Sequence, residues 1–457
     1  MVFSSLIFLF RFIPIFFLIY FIVPEKFKNL VLFIGSLVFY ASGEPRYAVL
    51  VLLSILVNYV IARLMCGFEK GTAARKGMLA IALSYDVGML LIFKYAVFII
   101  SNIKAAFGLD IAVPTISLPL GISFYTFQIM SYVIDAYRGN CECEKSILNL
   151  GTYLLMFPQL IAGPIVVYEK VAESLKKRDI TIEHVENGLK TFTLGLGAKV
   201  IFANTLGNIW NATDEMGYAN ISTGFAWLGI LAYSLQLYFD FSGYSLMAIG
   251  LGEMLGFSFP KNFDNPYIAR SATEFWRRWH ITLTSWFREY LYIPLGGNRK
   301  GTVRTYINMF IIWAITGFWH GAGWNFIAWG MYYFVFLAIE RLFLKKILDR
   351  SHVLSRIYTL VVVMSGWVLF AASSLTKAGI YLSRMFTWHK GTEFVEYLQT
   401  YWYILIPAMI FSTPLLTKYY ATHKKQIQVL VFLVAVFWLS VGLLVDSVYN
   451  PFLYFRF

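Results

Sequence analysis

Apolar runs long enough to cross a hydrocarbon core of about 30 Å recur along the whole chain, separated by short basic segments. The clearest lie at 2–23, 45–62, 78–101, 219–239, 357–376 and 427–445. Shorter runs, several interrupted by Gly or Pro, lie at 28–43, 118–136, 150–168, 190–210 and 401–417. Strand-type alternation is missing, so each run is expected to be helical. The pattern predicts an all-α, polytopic integral membrane protein with about ten to twelve membrane segments, some of them re-entrant. Neither an internal repeat nor a low-complexity tail stands out, so one continuous membrane domain over 1–457 is expected. The first run lacks a basic start and a small-residue cleavage signal, and reads as a retained helix rather than a signal peptide.

One run departs from the pattern. Residues 305–339 hold no Lys, Arg, Asp or Glu over 35 positions, with His320 near the centre. A straight helix of that length would reach roughly 52 Å, well beyond the hydrocarbon core. The run is therefore expected to break, with Gly317, Gly321 and Gly323 marking the place. Each arm would be about 15 residues, short of a full span. Irregular backbone at that depth must be buried in protein or line a water-filled cavity. An ionisable group there is a functional-site candidate by default. Trp319 and Trp324 are expected to pack the turn, with Trp319 and Asn325 lining the cavity.

Just before it lies a basic, aromatic stretch. Residues 261–304 carry eight Lys or Arg and three acids. Ser271 and Glu274 have capping-box spacing. Trp276, Trp279, His280, Leu283, Trp286, Phe287 and Tyr290 follow at three- and four-residue steps, so they would share one face of a single helix. Pro294, Gly296, Gly297 and Asn298 would end it. This predicts an amphipathic segment at the membrane interface, aromatic side inward and arginines toward headgroups. Trp276, Trp279 and His280 would line the same cavity. Arg288, Asn298, Arg299 and Lys300 are candidates for holding a phosphate-rich donor such as coenzyme A, and a lipid-headgroup role explains the same charges.

Composition sharpens the class. The 457 residues are 59% hydrophobic and only 14% charged, where a soluble domain averages about 25% charged. The 42 Phe, 30 Tyr and 13 Trp exceed what interfacial belts need, which suggests an aromatic interior around a pocket or tunnel. The net charge of +13 sits in loops. Basic clusters at 63–76, 170–190, 261–304, 341–356 and 418–425 are expected to face the cytoplasm and anionic lipid. No nucleic-acid motif is present. Cys141 and Cys143 are too close for an easy disulfide and lack a nearby histidine, so no metal site is expected and the three cysteines read as incidental. Gln128 and Asp240 are further polar candidates for lining the cavity. Structural hydrogen bonding explains Asp240 about as well. Asp86 and Lys94 read as structural pairing or snorkelling.

The motifs resemble the membrane-bound O-acyltransferase family, in the branch of the bacterial alginate O-acetyltransferase membrane subunit. The resemblance rests on Leu118-Pro-Leu-Gly-Ile-Ser-Phe-Tyr-Thr-Phe-Gln128, Phe157-Pro-Gln-Leu-Ile-Ala-Gly-Pro164 and Phe239-Asp-Phe-Ser-Gly-Tyr244. It continues through Glu274-Phe-Trp-Arg-Arg-Trp-His280, Tyr292-Ile-Pro-Leu-Gly-Gly-Asn-Arg299, Trp319-His-Gly321 and the terminal Asn450-Pro-Phe-Leu-Tyr-Phe-Arg-Phe457. The resemblance implies a catalytic role for His320, a second functional position at His280, and a central cavity or tunnel. It implies an acyl group passed from a cytoplasmic thioester to the outer face. There an extracytoplasmic partner of SGNH-hydrolase type would hand it to a polysaccharide hydroxyl. Acetyl-coenzyme A is the first candidate donor and an acyl-carrier-protein thioester the second, with no permanently bound cofactor. Leu246 and Val167 depart from the alginate-type pattern and keep teichoic-acid D-alanyl transfer open.

Acyl transfer to a hydroxyl needs a proton acceptor, and imidazole supplies one near neutral pH. His320 is the expected general base, titrating below its ordinary value if buried without a charged partner. His280 is the expected polarising or positioning group nearer the donor. A transporter or flippase is the rival class, since it too uses broken helices and buried ionisable groups.

Overall fold

The computed structural model describes residues 1–446, 452 and 453. The terminal motif at 450–457 therefore lies outside the described residues except for Phe452 and Leu453. Every regular element among those described is helical. Among the described residues five helices are long and apolar enough to cross a membrane: Pro45–Gly67, Ala73–Phe107, Trp324–Leu348, His352–Ala371 and Ile427–Asp446. A sixth candidate is the pair Glu393–Phe411 and Pro414–His423, bent by 68°. Pro407 and Pro414 remove backbone donors on either side of that bend.

The chain packs as two compact units. The first comprises Met1–Phe192 and Ser245–Pro260. Its amino-terminal helix carries an aromatic ladder at four-residue steps, in which Phe12, Phe16 and Tyr20 stack in turn at 5.7 Å. Phe157 presses its ring edge-on against Phe12 and Phe16, at 5.4 and 5.2 Å, a favourable aromatic geometry. Asp86 accepts a hydrogen bond from Asn58 Nδ2 at 2.8 Å, and Lys94 Nζ donates to Ser123 Oγ at 3.2 Å. Both polar groups thus make structural contacts inside the bundle. The cysteine expectation needs correction. Cys66 and Cys143 are joined as a disulfide, with Cα atoms 6.5 Å apart and a sequence separation of 77, and Cys141 is free. The pairing is long-range, so spacing among neighbours gave no hint of it.

The second unit comprises Thr193–Tyr244 and Lys261–Phe457. Its centre is a hairpin of two helices, Thr302–His320 and Trp324–Ile339. The break expected near His320 is there, at Gly321-Ala322-Gly323, but Gly317 does not mark it. Gly317 lies inside the first arm, where a Cβ would sit 2.5 Å from Phe326 O and 3.3 Å from Gly330 Cα. Facing glycines let the two arms cross backbone to backbone, the small-residue packing of membrane helices. The arms run to 19 and 16 residues, and the second continues to Leu348.

The single amphipathic helix expected after Ser271 is also corrected. It is two short helices, Ala272–Arg278 and Ile281–Phe287, followed by a π-helical turn at Arg288–Tyr292. Between them His280 adopts a left-handed backbone, φ 45°. The residues just upstream compete for the helix's own hydrogen bonds. Ile281 N–H donates to Asn262 O, and Asp264 N–H donates to Arg278 O, both at 2.9 Å. Ser271 caps the first helix as expected, its Oγ accepting from Glu274 N–H at 3.0 Å. A second cap arrives from far along the chain. The buried Glu340 carboxylate accepts from Ala272 N–H at 2.6 Å, Thr273 N–H at 2.9 Å and Thr273 Oγ1 at 2.6 Å. A negative charge at a helix amino terminus is favourable.

Candidate functional site

His320 is the last residue of the first arm, so the hairpin tip carries it. Its side chain is 5% exposed. Among the described residues three rings close around the imidazole, each nearly perpendicular to it: Trp329 at 4.8 Å, Trp319 at 4.9 Å and Phe370 at 5.3 Å. Trp329 comes from the second arm and Phe370 from the His352–Ala371 helix, so three helices build the cage. Gly321 opens the turn where a side chain would run into the Phe326 ring. Asn325 anchors the same turn, its Nδ2 donating to Ala372 O at 3.1 Å and Leu369 O at 3.4 Å. The sequence reading placed Asn325 as cavity lining; here its amide ties the second arm to the end of the neighbouring helix. Trp324, expected to pack the turn, is instead 57% exposed, and only Trp319 is buried there. The extended backbone at Gly323 directs Trp324 outward at the helix start.

His280 is 1% exposed. Its Nδ1 lies 3.1 Å from Asn262 Oδ1, and the Phe241 ring meets it edge-on at 4.7 Å. Burial pushes its pKa down to about 3, because a charged imidazole would lose its hydration. Trp319 packs against both histidines, with its ring 6.3 Å from His280 and 4.9 Å from His320. The two imidazoles are thus separated by no more than the sum of those distances. Residues forty apart in sequence share one aromatic neighbour.

Trp276 and Trp279 form the wall beside this pair. Trp276 packs on Trp329 at 5.5 Å, Trp313 at 5.1 Å and Tyr333 at 4.8 Å. Trp279 packs on Trp367 at 5.0 Å and Phe263 at 5.0 Å. Asp240 is committed to structure. It pairs with Lys199, and it accepts the Leu453 N–H at 2.8 Å. Gln128 belongs to the first unit, buried on the Ile122–Arg138 helix, where its main-chain carbonyl accepts from Ser131 Oγ at 2.6 Å. Arg288, Asn298, Arg299 and Lys300 are all exposed, open to either a phosphate donor or headgroups. Sequence reasoning missed Asn262, Lys199, Glu340, Trp329, Trp367 and Phe370. Asn262 lies in the basic stretch and Trp329 in the uncharged run, but nothing local tied either to a histidine.

What this arrangement offers chemically is the His320 imidazole in an apolar, aromatic enclosure, with the His280 imidazole nearby. Aromatic walls exclude water, which favours transfer of an acyl group over its hydrolysis. Among the described residues no cluster of three or more metal-ligating side chains occurs.

Residues 144–378 match the family model of membrane-bound O-acyltransferases. The chain is 42% identical to the probable alginate O-acetylase of Pseudomonas putida over 85% of its own length and 80% of that protein. It is 35% identical to the peptidoglycan O-acetyltransferase of Helicobacter pylori, over 83% and 78%. It is 31% identical to the teichoic acid D-alanyltransferase of Streptococcus thermophilus, over 50% of this chain and 58% of that protein.

Proposed function

The chain belongs to the membrane-bound O-acyltransferase family, and from that premise we propose that it carries an acetyl group from cytoplasmic acetyl-coenzyme A to a hydroxyl at the outer face. It is a multi-pass membrane O-acyltransferase. The acceptor in this reading is a cell-surface polysaccharide or exopolysaccharide, reached through an extracytoplasmic partner of SGNH-hydrolase type. The relatives named for acetylating alginate and peptidoglycan support a polysaccharide end point. The donor enters from the side of the basic loops, with Arg288, Asn298, Arg299 and Lys300 near its phosphates. The acyl thioester reaches the histidines through a tunnel in a bundle of ten to twelve segments.

The observation that carries the chemistry is His320 at the hairpin tip, enclosed by Trp319, Trp329 and Phe370. The acceptor oxygen attacks the thioester carbonyl while His320 takes its proton. The carbon–sulfur bond then breaks, and the same proton passes to the leaving thiolate, giving an ester and free thiol. His280 positions the reacting groups. A carrier-bound D-alanyl donor is the second reading, supported by the similarity to a teichoic acid D-alanyltransferase.

The test is a labelled-donor assay on membranes holding the protein. Acetyl label recovered in an alkali-labile ester of a surface polymer supports acetyl transfer. Label recovered only from D-alanyl donors favours the second reading. Substrate that crosses the membrane without forming an ester refutes both in favour of a transporter.

A further inference from the structure

We propose that Asn262 is a positioning residue for acyl transfer that fixes His280 as its Nδ1–H tautomer, with the lone pair on Nε2. The functional half of this rests on the acyl-transfer reading. The tautomer itself rests on geometry alone.

An asparagine amide can be turned either way, and its orientation must be decided from its neighbours. Here the neighbours decide. Thr282 N–H lies 3.3 Å from Asn262 Oδ1, and a backbone N–H can only donate. Thr282 Oγ1 lies 2.9 Å from the same atom. Turning the amide would set its NH2 group against that N–H, donor to donor. The atom facing Thr282 is therefore the oxygen, and it is the same atom that faces His280 Nδ1 at 3.1 Å. An acceptor there requires a hydrogen on Nδ1. A neutral imidazole carries one N–H, so its Nε2 presents a lone pair.

The backbone holds this geometry in place. Asn262 is buried, and its carbonyl takes the Ile281 N–H at 2.9 Å. Main chain and side chain of one residue thus clamp both sides of His280. His280 has φ 45°, a conformation unfavourable for a residue with a Cβ and retained where surrounding contacts over-determine it. The edge of Phe241 holds the ring plane.

A consequence for the chemistry follows. In this tautomer His280 has no N–H to offer an acyl carbonyl, so it does not polarise the thioester by donation.

The test uses the full chain, purified in detergent, with ring-15N-labelled histidine. The spectrum of a His280→Gln variant identifies the His280 signals by difference. The expected wild-type signature is a protonated Nδ1 and a bare Nε2. Asn262→Asp keeps an oxygen acceptor of the same shape and should keep Nδ1 protonated, while its negative charge raises the imidazole pKa so that Nε2 takes up a proton at higher pH than in wild type. Asn262→Leu should lose the single tautomer and slow transfer roughly 10–100-fold. A His280 protonated on Nε2 in the wild type overturns the proposal, as does an Asn262→Leu protein with unchanged signature and rate. If the leucine variant does not fold, the wild-type and aspartate spectra decide. If no protein transfers label, the acyl-transfer reading fails, while the tautomer is still read directly.

Discussion

Gly317→Ala is the sharpest test of how the fold holds His320. The added Cβ would lie 2.5 Å from Phe326 O and 3.3 Å from Gly330 Cα. Carbon–oxygen contacts between helices run at about 3.3–3.6 Å, so the arms must part by about 1 Å. Both obstacles are backbone atoms, and no rotamer change relieves them. Gly317 lies one turn before His320, and Trp329, next to Gly330, packs on the imidazole at 4.8 Å. The displacement therefore falls on the wall of the site. Overpacking of this kind costs about 1–3 kcal/mol, and a misplacement of about 1 Å can cost on the order of 100-fold in rate. The assay is the initial rate of ester formation in membranes, beside the melting temperature of the purified protein. Gly379→Ala is the control, since a Cβ there meets nothing within 4 Å; its rate should equal wild type. A Gly317→Ala enzyme as fast and as stable as wild type, or a Gly379→Ala enzyme equally impaired, would refute the reasoning.

Other perturbations follow from particular contacts. Glu340→Ala strands the two N–H groups and the hydroxyl that its carboxylate accepts from at Ala272 and Thr273; a loss of about 1–3 kcal/mol is expected in detergent melts, and an unchanged melt would count against the cap. Lys199→Met leaves Asp240 buried without its cation and should cost about 3–5 kcal/mol, while adding Asp240→Leu should recover much of it; equal damage in single and double variants would deny the pair. Ser271→Ala should cost about 1 kcal/mol through the lost cap, readable as a lower melting temperature. His280 is held neutral by burial, so its folded pKa lies below the unfolded value. The unfolded chain then binds the extra proton as pH falls below about 6.5, and stability drops by up to about 1.4 kcal/mol per pH unit. His280→Gln should flatten that slope between pH 6 and 4 in roughly this measure, and parallel curves would contradict it.

The hydrophobic pattern foresaw burial better than it foresaw geometry. Trp276, Trp279, His280, Leu283, Trp286 and Phe287 are buried as their spacing implied, while Tyr290 of the same face is half-buried, and they do not share one helix. The break comes from Asn262, eighteen residues before His280, whose hydrogen bonds no local pattern encodes. The turn at His320 was legible because an uncharged run of that length cannot stay straight in a bilayer. Gly317 was misread because a glycine that breaks a helix and one that admits a neighbouring helix look alike in sequence. Asn325 reads as cavity lining and Asp240 equally as cavity lining or structural hydrogen bonding, because buried polarity signals both function and structure. Only their partners, Ala372 and Lys199, separate the two. Cys66 met Cys143 across a sequence separation of 77, a pairing that belongs to tertiary structure.

The central claim is that His320 is the base for acyl transfer. The direct measurement compares wild type with His320→Ala in membranes supplied with radiolabelled acetyl-coenzyme A and the cell's own surface polymers, at matched levels of inserted protein. The account predicts label in an alkali-labile ester with wild type and none above background with His320→Ala. Equal labelling by the two proteins would contradict it.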